Sequence, residues 1–443
     1  MTAALPVAPL LARLGVLGGA RALAAFFGFL AMLELAPAAG PETLGRWSMV
    51  LAVQGWLLHL AEWGLRSVVT AEAGRTAGGG RALLPNYLGV RLALAGLLVV
   101  GALGVTAVLA PDRLATTALV LSSLIAIALQ LDWLALVEDR PILASFLLLV
   151  RPIGWWMLLV PLEPPLTLER LAALFAASWA LAAVASWLVL GLSPKAARGT
   201  IPPASPRRLL RRGFPLMLVT LANQAIFSAD TFLVGAVLGP ERAGAYYLAS
   251  ALATAALVVA NATNQLALAR AGALSEDPLA LAAERSRQLR IATALALCSA
   301  LALALAVPLL PSLFGSAFDE ARAIAIALAP WVFLQHPSAV LRAFAAADRD
   351  GALLVLADLA LCATFLFTLP LALVWSSPVA CALARSLGEL ARLALLSSRL
   401  RGRSFATRPA TIAEFDRMPT LPSGDPRALR GDRRTRGHEG SHR

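Results

Sequence analysis

Twelve long apolar stretches follow one another along the chain, and they constrain its fold more than any other feature. A helix needs about 20 apolar residues to cross the hydrocarbon core of a membrane. Strands of an outer-membrane barrel would instead alternate apolar and polar residues over about ten positions, and these stretches do not alternate. The predicted transmembrane helices are residues 14–36, 47–68, 87–110, 115–137, 141–161, 169–192, 213–238, 245–268, 290–311, 323–345, 352–374 and 378–399. Only 14% of residues are charged, against roughly a quarter in soluble domains, which agrees with an all-α integral membrane protein.

A repeated octet divides these helices into two groups of six. GPETLGRW at residues 40–47 and GPERAGAY at residues 239–246 share four identities, and each lies between the first and second helix of its group. An even number of helices per group brings both groups into the membrane from the same side, so we expect two parallel six-helix bundles around a central cavity. The predicted parts are an N-terminal bundle, a basic linker, a C-terminal bundle and a disordered basic tail: 1–192, 193–213, 214–400 and 401–443.

The positive charge of the chain is distributed unevenly. The net charge is +12, and arginines cluster in every second connection and in the tail, while the alternate connections hold one each at most. Because positive residues stay cytoplasmic during insertion, this pattern predicts that both termini are cytoplasmic. It accounts for the basic composition without nucleic-acid binding. We also expect the basic connections at 208–212 and 285–290 to lie against anionic membrane lipids.

Polar residues inside the predicted helices are the candidate functional residues, since a charge at the bilayer centre costs about 2.5–3.5 kcal/mol and must face protein or water. Those on the first two helices of each bundle share helix faces and should converge on a water-filled cavity. They are Arg21; His59, Glu62 and Arg66; Thr220, Asn223, Gln224 and Asp230; and Asn261, Asn264 and Gln265. Each has a structural alternative: Arg21 reaches the membrane surface, Glu62 pairs with Arg66, and the amides join neighbouring helices.

Other polar groups inside the predicted helices are interpreted as structural rather than functional. Arg151 should pair with Asp132 or Asp358, and Arg385, Glu389 and Arg392 should form a ladder of ion pairs. His336 is expected to be a hydrogen-bonded core residue, and the three cysteines to pack as free thiols. The chain has no phosphate-binding G-x-x-x-x-G-K-[ST] motif and no metal-ligand spacing, so we predict no cofactor, no metal and no catalytic residue.

The order of these features resembles a known family. The GPExxGx[WY] turn, Asp230 before TFLVGAVLGPERAGAY, and LLPSLFGSAFDEARAIAIALAP at residues 309–330 are similar to bacterial polysaccharide flippases of the O-antigen type. These flippases share a superfamily with lipid II flippases and multidrug exporters. The resemblance covers about residues 10–400.

The resemblance implies alternating-access transport of an undecaprenyl-pyrophosphate-linked oligosaccharide across the bacterial inner membrane, for surface polysaccharide biosynthesis. Arg21 and Arg151 would then hold the pyrophosphate, because a guanidinium binds phosphate with two parallel hydrogen bonds. Asn223, Gln224, Asn261, Asn264 and Gln265 would line the sugar path, while Glu62, Asp230 or Asp358 would couple transport to protons or sodium ions. Polysaccharide polymerases or glycosyltransferases would be partner proteins.

Two other functions fit the sequence. The acidic residues among the candidates leave open an ion-coupled multidrug or metabolite antiporter of the same superfamily. A membrane polymerase or glycosyltransferase would act on the same lipid, but the short outward connections leave little room for its catalytic carboxylates. A general twelve-span carrier of another superfamily is a weaker alternative.

Overall fold

The computed structural model describes residues 7–73, 79–192, 206–274, 278–347 and 350–402. These residues are almost entirely helical, and no strand occurs among them. The α-helices are α1 Val7–Glu62, α2 Leu65–Ala73, α3 Gly79–Leu109, α4 Leu114–Ala128, α5 Asp132–Val137, α6 Pro141–Leu159, α7 Leu168–Val189, α8 Pro206–Leu238, α9 Pro240–Ala256, α10 Val258–Ala273, α11 Pro278–Ala306, α12 Leu310–Phe314, α13 Glu320–Ala347, α14 Gly351–Val374 and α15 Pro378–Gly402.

The first two predicted spans form one helix that bends at a single residue. Gly40 has φ 71° and ψ 167°, a conformation that residues with a Cβ rarely adopt, and it divides α1 into a first and a second arm. Leu17 of the first arm packs in the same apolar cluster as Leu65, which directly follows the second arm. The two arms therefore form a hairpin. Gly239, between α8 and α9, repeats the conformation with φ 100° and ψ 158°.

The two copies of the octet contact each other reciprocally. A Cβ added at Gly45 would lie 1.6 Å from the carbonyl oxygen of Pro240, and one added at Gly244 would lie 2.0 Å from that of Pro41. Such a reciprocal contact is the mark of a two-fold relation between the contacting parts. It supports the predicted parallel arrangement of the two halves. We call this end of the molecule the bend end, and the other the opposite end.

Three predicted spans are interrupted in the structure. Trp63 and Gly64 have φ 47° and 66°, so the second predicted span ends at Glu62 and Arg66 belongs to α2. The expected continuous stripe of His59, Glu62 and Arg66 is therefore wrong. The fourth span breaks before Asp132, and the eighth between α9 and α10. At such a break, backbone groups form hydrogen bonds outside the regular helical pattern. At the break in the fourth span, the amide of Leu131 donates to the Ser186 hydroxyl.

Two predicted boundaries also shift. Helix α8 begins at Pro206, inside the predicted linker, because proline is well tolerated in the first helical turn and the basic residues after it form solvated turns. Residues 193–205 and 403–443 lie outside the described residues, so the rest of the linker and the tail remain predictions.

Large apolar side chains on the surface fit a membrane environment. Leu97, Val108 and Phe367 are 71%, 81% and 75% exposed, which lipid rather than water would accommodate. Among the described helices, eight are long and apolar enough to span a membrane, or nine if a bent pair in α8 counts as one span. One of the eight segments contains both arms of α1. The number twelve stays a prediction.

Candidate functional site

The two halves meet along a seam between the second arm of α1 and α8, where both polar and aromatic side chains face each other. The ring nitrogen Nε2 of His59 lies 3.3 Å from Oε1 of Gln224. Gly55, one turn earlier in α1, leaves room for the Gln224 amide, since a Cβ there would lie 2.3 Å from Nε2 of Gln224. Asn223 turns away and donates to the carbonyl of Val219 in its own helix, at 3.0 Å. Of the predicted amides in α8, Gln224 is therefore the one that joins the halves.

A cavity of about 330 Å³, lined by three charged side chains among mainly apolar ones, lies in the N-terminal half. Its volume falls within the range of roughly 300–1,000 Å³ that is usual for small-molecule sites. All lining residues come from α1 to α7 or the connections between them: Ala24, Gly28, Arg66, Gln130, Asp132, Leu148, Arg151, Pro152, Trp155 and Trp179. The cavity is thus formed by residues of the N-terminal half. We call it the N-half cavity.

Two helix breaks bring opposite charges together at this cavity. Arg66 lies in α2 just after the break at Trp63, and Asp132 begins α5 just after the break in the fourth predicted span. The guanidinium Nη2 of Arg66 lies 2.6 Å from Oδ2 of Asp132. The break before α5 is held by Trp187, whose indole N–H donates to the carbonyl of Leu129 at 2.9 Å. The ion pair therefore depends on these two helix breaks and would be lost if the helices were uninterrupted.

Arg151 is the cavity's unpaired cation. Its guanidinium carbon lies 4.3 Å from the ring centre of Trp179 and 5.4 Å from that of Phe175, so aromatic faces stabilise its charge. Its Nε is buried without a hydrogen-bond partner. The predicted pairing with Asp132 or Asp358 is wrong, because these carboxylates bind Arg66 and the arginines of the C-terminal half instead. A buried N–H without an acceptor is costly, so this site favours an added acceptor.

Arg21 lies near the same cavity. Ala24 and Gly28, which line the cavity, follow Arg21 at positions +3 and +7 and so share its face of α1. Arg21 is exposed, and the positive charge of Arg66 acts on it. No described carboxylate forms an ion pair with Arg21. Its position agrees with a role at the edge of the cavity, and its predicted contact with a substrate stays a proposal.

The C-terminal half pairs its interior charges. Asp230 is fully buried, and its Oδ2 lies 2.6 Å from Nη2 of Arg385 and 2.5 Å from the hydroxyl of Tyr246. Asp230 therefore does not line a water-filled cavity, contrary to the prediction. Burying the charged carboxylate without a counter-charge would be costly, and the paired arginine compensates this cost.

A second group of charges in the same half includes Asp358. Its carboxylate lies 3.5 Å from Arg342 and 3.4 Å from Arg392, and Arg392 also binds Glu389 at 2.6 Å. The amide of Gln335 donates to Glu389 at 2.8 Å. This network confirms the predicted ion pair of Glu389 with Arg392, whereas Arg385, the third member of the predicted ladder, binds Asp230 instead. It also leaves Asp358 occupied by two arginines, which is a structural position rather than one open to a transported ion.

The remaining predicted residues have mixed outcomes. Glu62 forms a loose ion pair with the buried Arg91, at 3.9 Å, and not with Arg66. Asn264 is half-buried in α10, whereas the side chains of Asn261 and Gln265 lie outside the described residues. The expectation for His336 is confirmed: it is fully buried, with its ring nitrogens 3.0 Å from the Val332 carbonyl and 3.2 Å from the Ser299 hydroxyl.

The two halves therefore differ in charge balance. In the interior of the described C-terminal half, three arginines face three carboxylates: Arg342, Arg385 and Arg392 against Asp230, Asp358 and Glu389. In and around the N-half cavity, four arginines face two carboxylates: Arg21, Arg66, Arg91 and Arg151 against Glu62 and Asp132. The excess positive charge lies in the N-terminal half, where an anion would be stabilised.

Sequence reasoning missed part of this cavity. Gln130, Trp155 and Trp179 were not among the candidates, and Asp132 was considered only as a partner of Arg151. The segment LIAIALQLDWLALVEDR carries the available signal, because Gln130 and Asp132 interrupt an otherwise apolar run. Such an interruption indicates either a helix break or a functional site. No comparable interruption of the sequence pattern marks Trp155 or Trp179.

Comparisons with known proteins agree with this architecture. Residues 143–269 match the model of a family described as polysaccharide biosynthesis protein. No curated protein matches the chain significantly.

Solved structures show the same fold at low sequence identity. The lipid II flippase MurJ, in an inward closed conformation, has a TM-score of 0.69 at 12% identity, over 86% of this chain and 86% of that one. An inward-facing multidrug resistance MATE family transporter of the MOP superfamily has a TM-score of 0.69 at 14% identity, over 86% and 94%.

A third structure is a MOP superfamily transporter from Pyrococcus furiosus Vc1, described as having a binding pocket of reverse polarity. It has a TM-score of 0.62 at 11% identity, over 88% of this chain and 95% of that one. The chain is thus a multi-pass membrane protein with the fold of MOP superfamily transporters, and the match of residues 143–269 to a polysaccharide biosynthesis family supports the resemblance predicted from the sequence.

Proposed function

We propose that this protein moves an undecaprenyl-pyrophosphate-linked oligosaccharide from the inner to the outer leaflet of the bacterial inner membrane, by alternating access. The observation that carries the proposal is the excess of arginine over carboxylate in the membrane-embedded N-terminal half. The negative charge of a pyrophosphate would balance the excess positive charge of these arginines. Guanidinium groups bind phosphate oxygens in a bidentate manner. The match to a polysaccharide biosynthesis family gives independent support.

The same charge balance argues against the main alternative. A cationic drug would be repelled by an excess of unpaired arginines, whereas an antiporter for cations needs accessible carboxylates. Asp230 and Asp358 are both buried in ion pairs. Glu62 is the coupling candidate that we retain, because its ion pair is long and its side chain is 21% exposed. Protons or sodium ions would be the driving ions.

In this proposal the bend end faces the periplasm and the opposite end the cytoplasm. The arrangement follows the positive-inside pattern of the connections, which places both termini in the cytoplasm. The reciprocal contact of Gly45 and Gly244 would then join the halves on the outer side. The lipid-linked substrate would enter from the cytoplasmic leaflet, and rocking of the halves about the seam would expose it to the other side.

Complementation of a flippase-null bacterial strain tests the proposal. The wild-type chain should restore surface polysaccharide, and Arg21→Ala should abolish the rescue at an unchanged protein level. Arg46→Ala is the matched control, because Arg46 is exposed and pairs only with Glu42 on its own helix. Failure of the wild-type chain with several lipid-linked glycans, together with efflux of cationic dyes, would favour the antiporter. Full rescue by Arg21→Ala would remove that residue from the mechanism.

A further inference from the structure

We infer that a groove at the bend end of the N-terminal half binds the ammonium headgroup of an aminophospholipid, and that Glu34 recognises it. The groove has a volume of about 380 Å³. Its lining residues include Leu33, Glu34 and Pro37 of α1 and, from the end of α6 and the connection after it, Leu159, Leu162 and Pro164. We call it the bend-end groove. The inference goes beyond the proposed function, which supplies only the leaflet in which the lipid lies.

The bend-end groove lies on a different face of α1 from the N-half cavity. Successive residues of a helix are rotated by about 100°. Gly28, which lines the N-half cavity, is therefore about 120° from Glu34 around the helix, and Arg21 is about 140° from it. Leu23 lies within about 20° of Glu34 and is 50% exposed, as expected of a face that contacts lipid. The groove is thus a second site, with no arginine among its described lining residues.

Negative charge without a counter-charge is the main feature of the groove. Among the described residues that line it, Glu34 alone is charged. Glu34 is exposed, and it forms no ion pair within the part of the chain that the structure describes. Glu163, between the lining residues Leu162 and Pro164, is also exposed and adds a second negative charge. The groove should therefore attract a cation and repel an anionic lipid headgroup.

The apolar character of the other lining side chains restricts the kind of cation. A calcium ion takes about six to eight oxygen ligands, whereas the lining offers one carboxylate. The described residues include no group of three or more His, Cys, Asp or Glu that could hold a metal ion. An amphiphile with an ammonium group fits better, because the carboxylate can accept its N–H groups while leucine and proline side chains contact its carbon chain. A membrane supplies such a molecule as an aminophospholipid.

The groove lies at the depth of lipid headgroups. Glu34 precedes the bend at Gly40 by six residues, or about 9 Å along the helix. On the other wall α6 ends at Leu159, so the groove spans the last turn of a membrane-spanning helix and the connection that follows it. Trp156, in that last turn, belongs to a residue type that is enriched at the membrane–water interface.

A bound lipid would strengthen a contact beside the bend of α1. The amide of Leu166, in the connection between α6 and α7, donates to the carbonyl of Ala38 at 3.1 Å. The headgroup would lie against this contact, since both residues line the groove. Its acyl chains would extend over the apolar surface of α1 and α6, where Phe26 and Met157 are 53% and 62% exposed. In the proposed orientation this lipid belongs to the outer leaflet.

Native mass spectrometry of the purified, delipidated full chain provides the test. Phosphatidylethanolamine and phosphatidylglycerol with the same acyl chains compete at equal concentration, and the ratio of the two is measured in the species with one bound lipid. We expect the wild type to prefer phosphatidylethanolamine roughly tenfold, the order expected of one hydrogen bond between charged groups. Glu34→Gln should remove the preference, and Glu34→Lys should reverse it. Glu42→Gln, at an exposed carboxylate that pairs with Arg46 at the same end, should behave as the wild type.

Photo-crosslinking in membranes identifies the occupant directly. Pro37 is exposed and lines the groove, so Pro37→benzoylphenylalanine should form an adduct with the mass of a phospholipid. A crosslink to a second protein in its place would overturn the lipid site. Equal retention of the two lipids by the wild type, a preference that persists in Glu34→Gln, or an unreversed ratio in Glu34→Lys would overturn it as well.

The gain of phosphatidylglycerol binding expected for Glu34→Lys guards against misfolding, because an unfolded variant would lose both lipids. The complementation test of Arg21 is independent of these measurements. Failure of the lipid site would therefore leave the flippase proposal standing, and failure of complementation would leave the lipid site standing.

Discussion

The buried pair of Asp230 and Arg385 gives the sharpest prediction on stability, because the sequence suggested an ion-coupling role for Asp230 and the structure suggests a structural one. The two side chains are 0% and 1% exposed, and their charged atoms lie 2.6 Å apart. Asp230→Ala would leave Arg385 buried without a counter-charge. We expect the free energy of unfolding to fall by about 3–5 kcal/mol, the usual cost of breaking a buried ion pair from one side.

Replacing both partners should reverse most of this loss. Asp230→Leu with Arg385→Met removes both charges, and such apolar replacements are often neutral or stabilising. The hydroxyl of Tyr246, which donates to Asp230 at 2.5 Å, would then lack its acceptor. Adding Tyr246→Phe to the double variant removes this cost of about 1–3 kcal/mol. Glu42→Ala, in an exposed pair, is the control and should change nothing measurable.

The assay combines unfolding with transport. Titration with sodium dodecyl sulfate, followed by tryptophan fluorescence, reports the free energy of unfolding of the purified variants, and complementation reports transport. A structural pair predicts an unstable Asp230→Ala protein and an active, stable triple variant. A stable Asp230→Ala protein would refute the reasoning about burial. A triple variant that folds but does not transport would return Asp230 to the coupling mechanism.

Further predictions concern the contacts that join helices. Gly45→Ala would push a Cβ to within 1.6 Å of a carbonyl oxygen of α9, so distances between spin labels across the halves should lengthen at the bend end. Gly213→Ala would place a Cβ 2.1 Å from a carbonyl oxygen at the end of α1, so the lengthening should occur at the opposite end instead. Gly96→Ala, with nothing within 4 Å, should leave both distances unchanged. Arg392→Ala should lower the free energy of unfolding by about 3–5 kcal/mol, since Glu389 would be left buried without its arginine; an unchanged unfolding curve would contradict this.

The sequence by itself determined the all-helical membrane fold class. Long apolar stretches can satisfy their backbone hydrogen bonds in a membrane only as helices, so their number and length restrict the fold without any tertiary information. The repeated octet was predicted to lie between the first and second helix of each half, and its first glycine, Gly40 or Gly239, turns the chain there with a positive φ in both cases. Local chemistry was sufficient for these features.

The tertiary structure decided which charges are paired. The ladder around Arg392 could be predicted because Glu389 is three residues away on the same helix face. Arg385 and Asp230 lie 155 positions apart, and Arg66 and Asp132 meet only because two helices break. Helical periodicity assigns a residue to a face of its own helix, whereas the neighbour on that face depends on how helices pack and where they break. The unpaired state of Arg151 therefore became visible only in the folded chain.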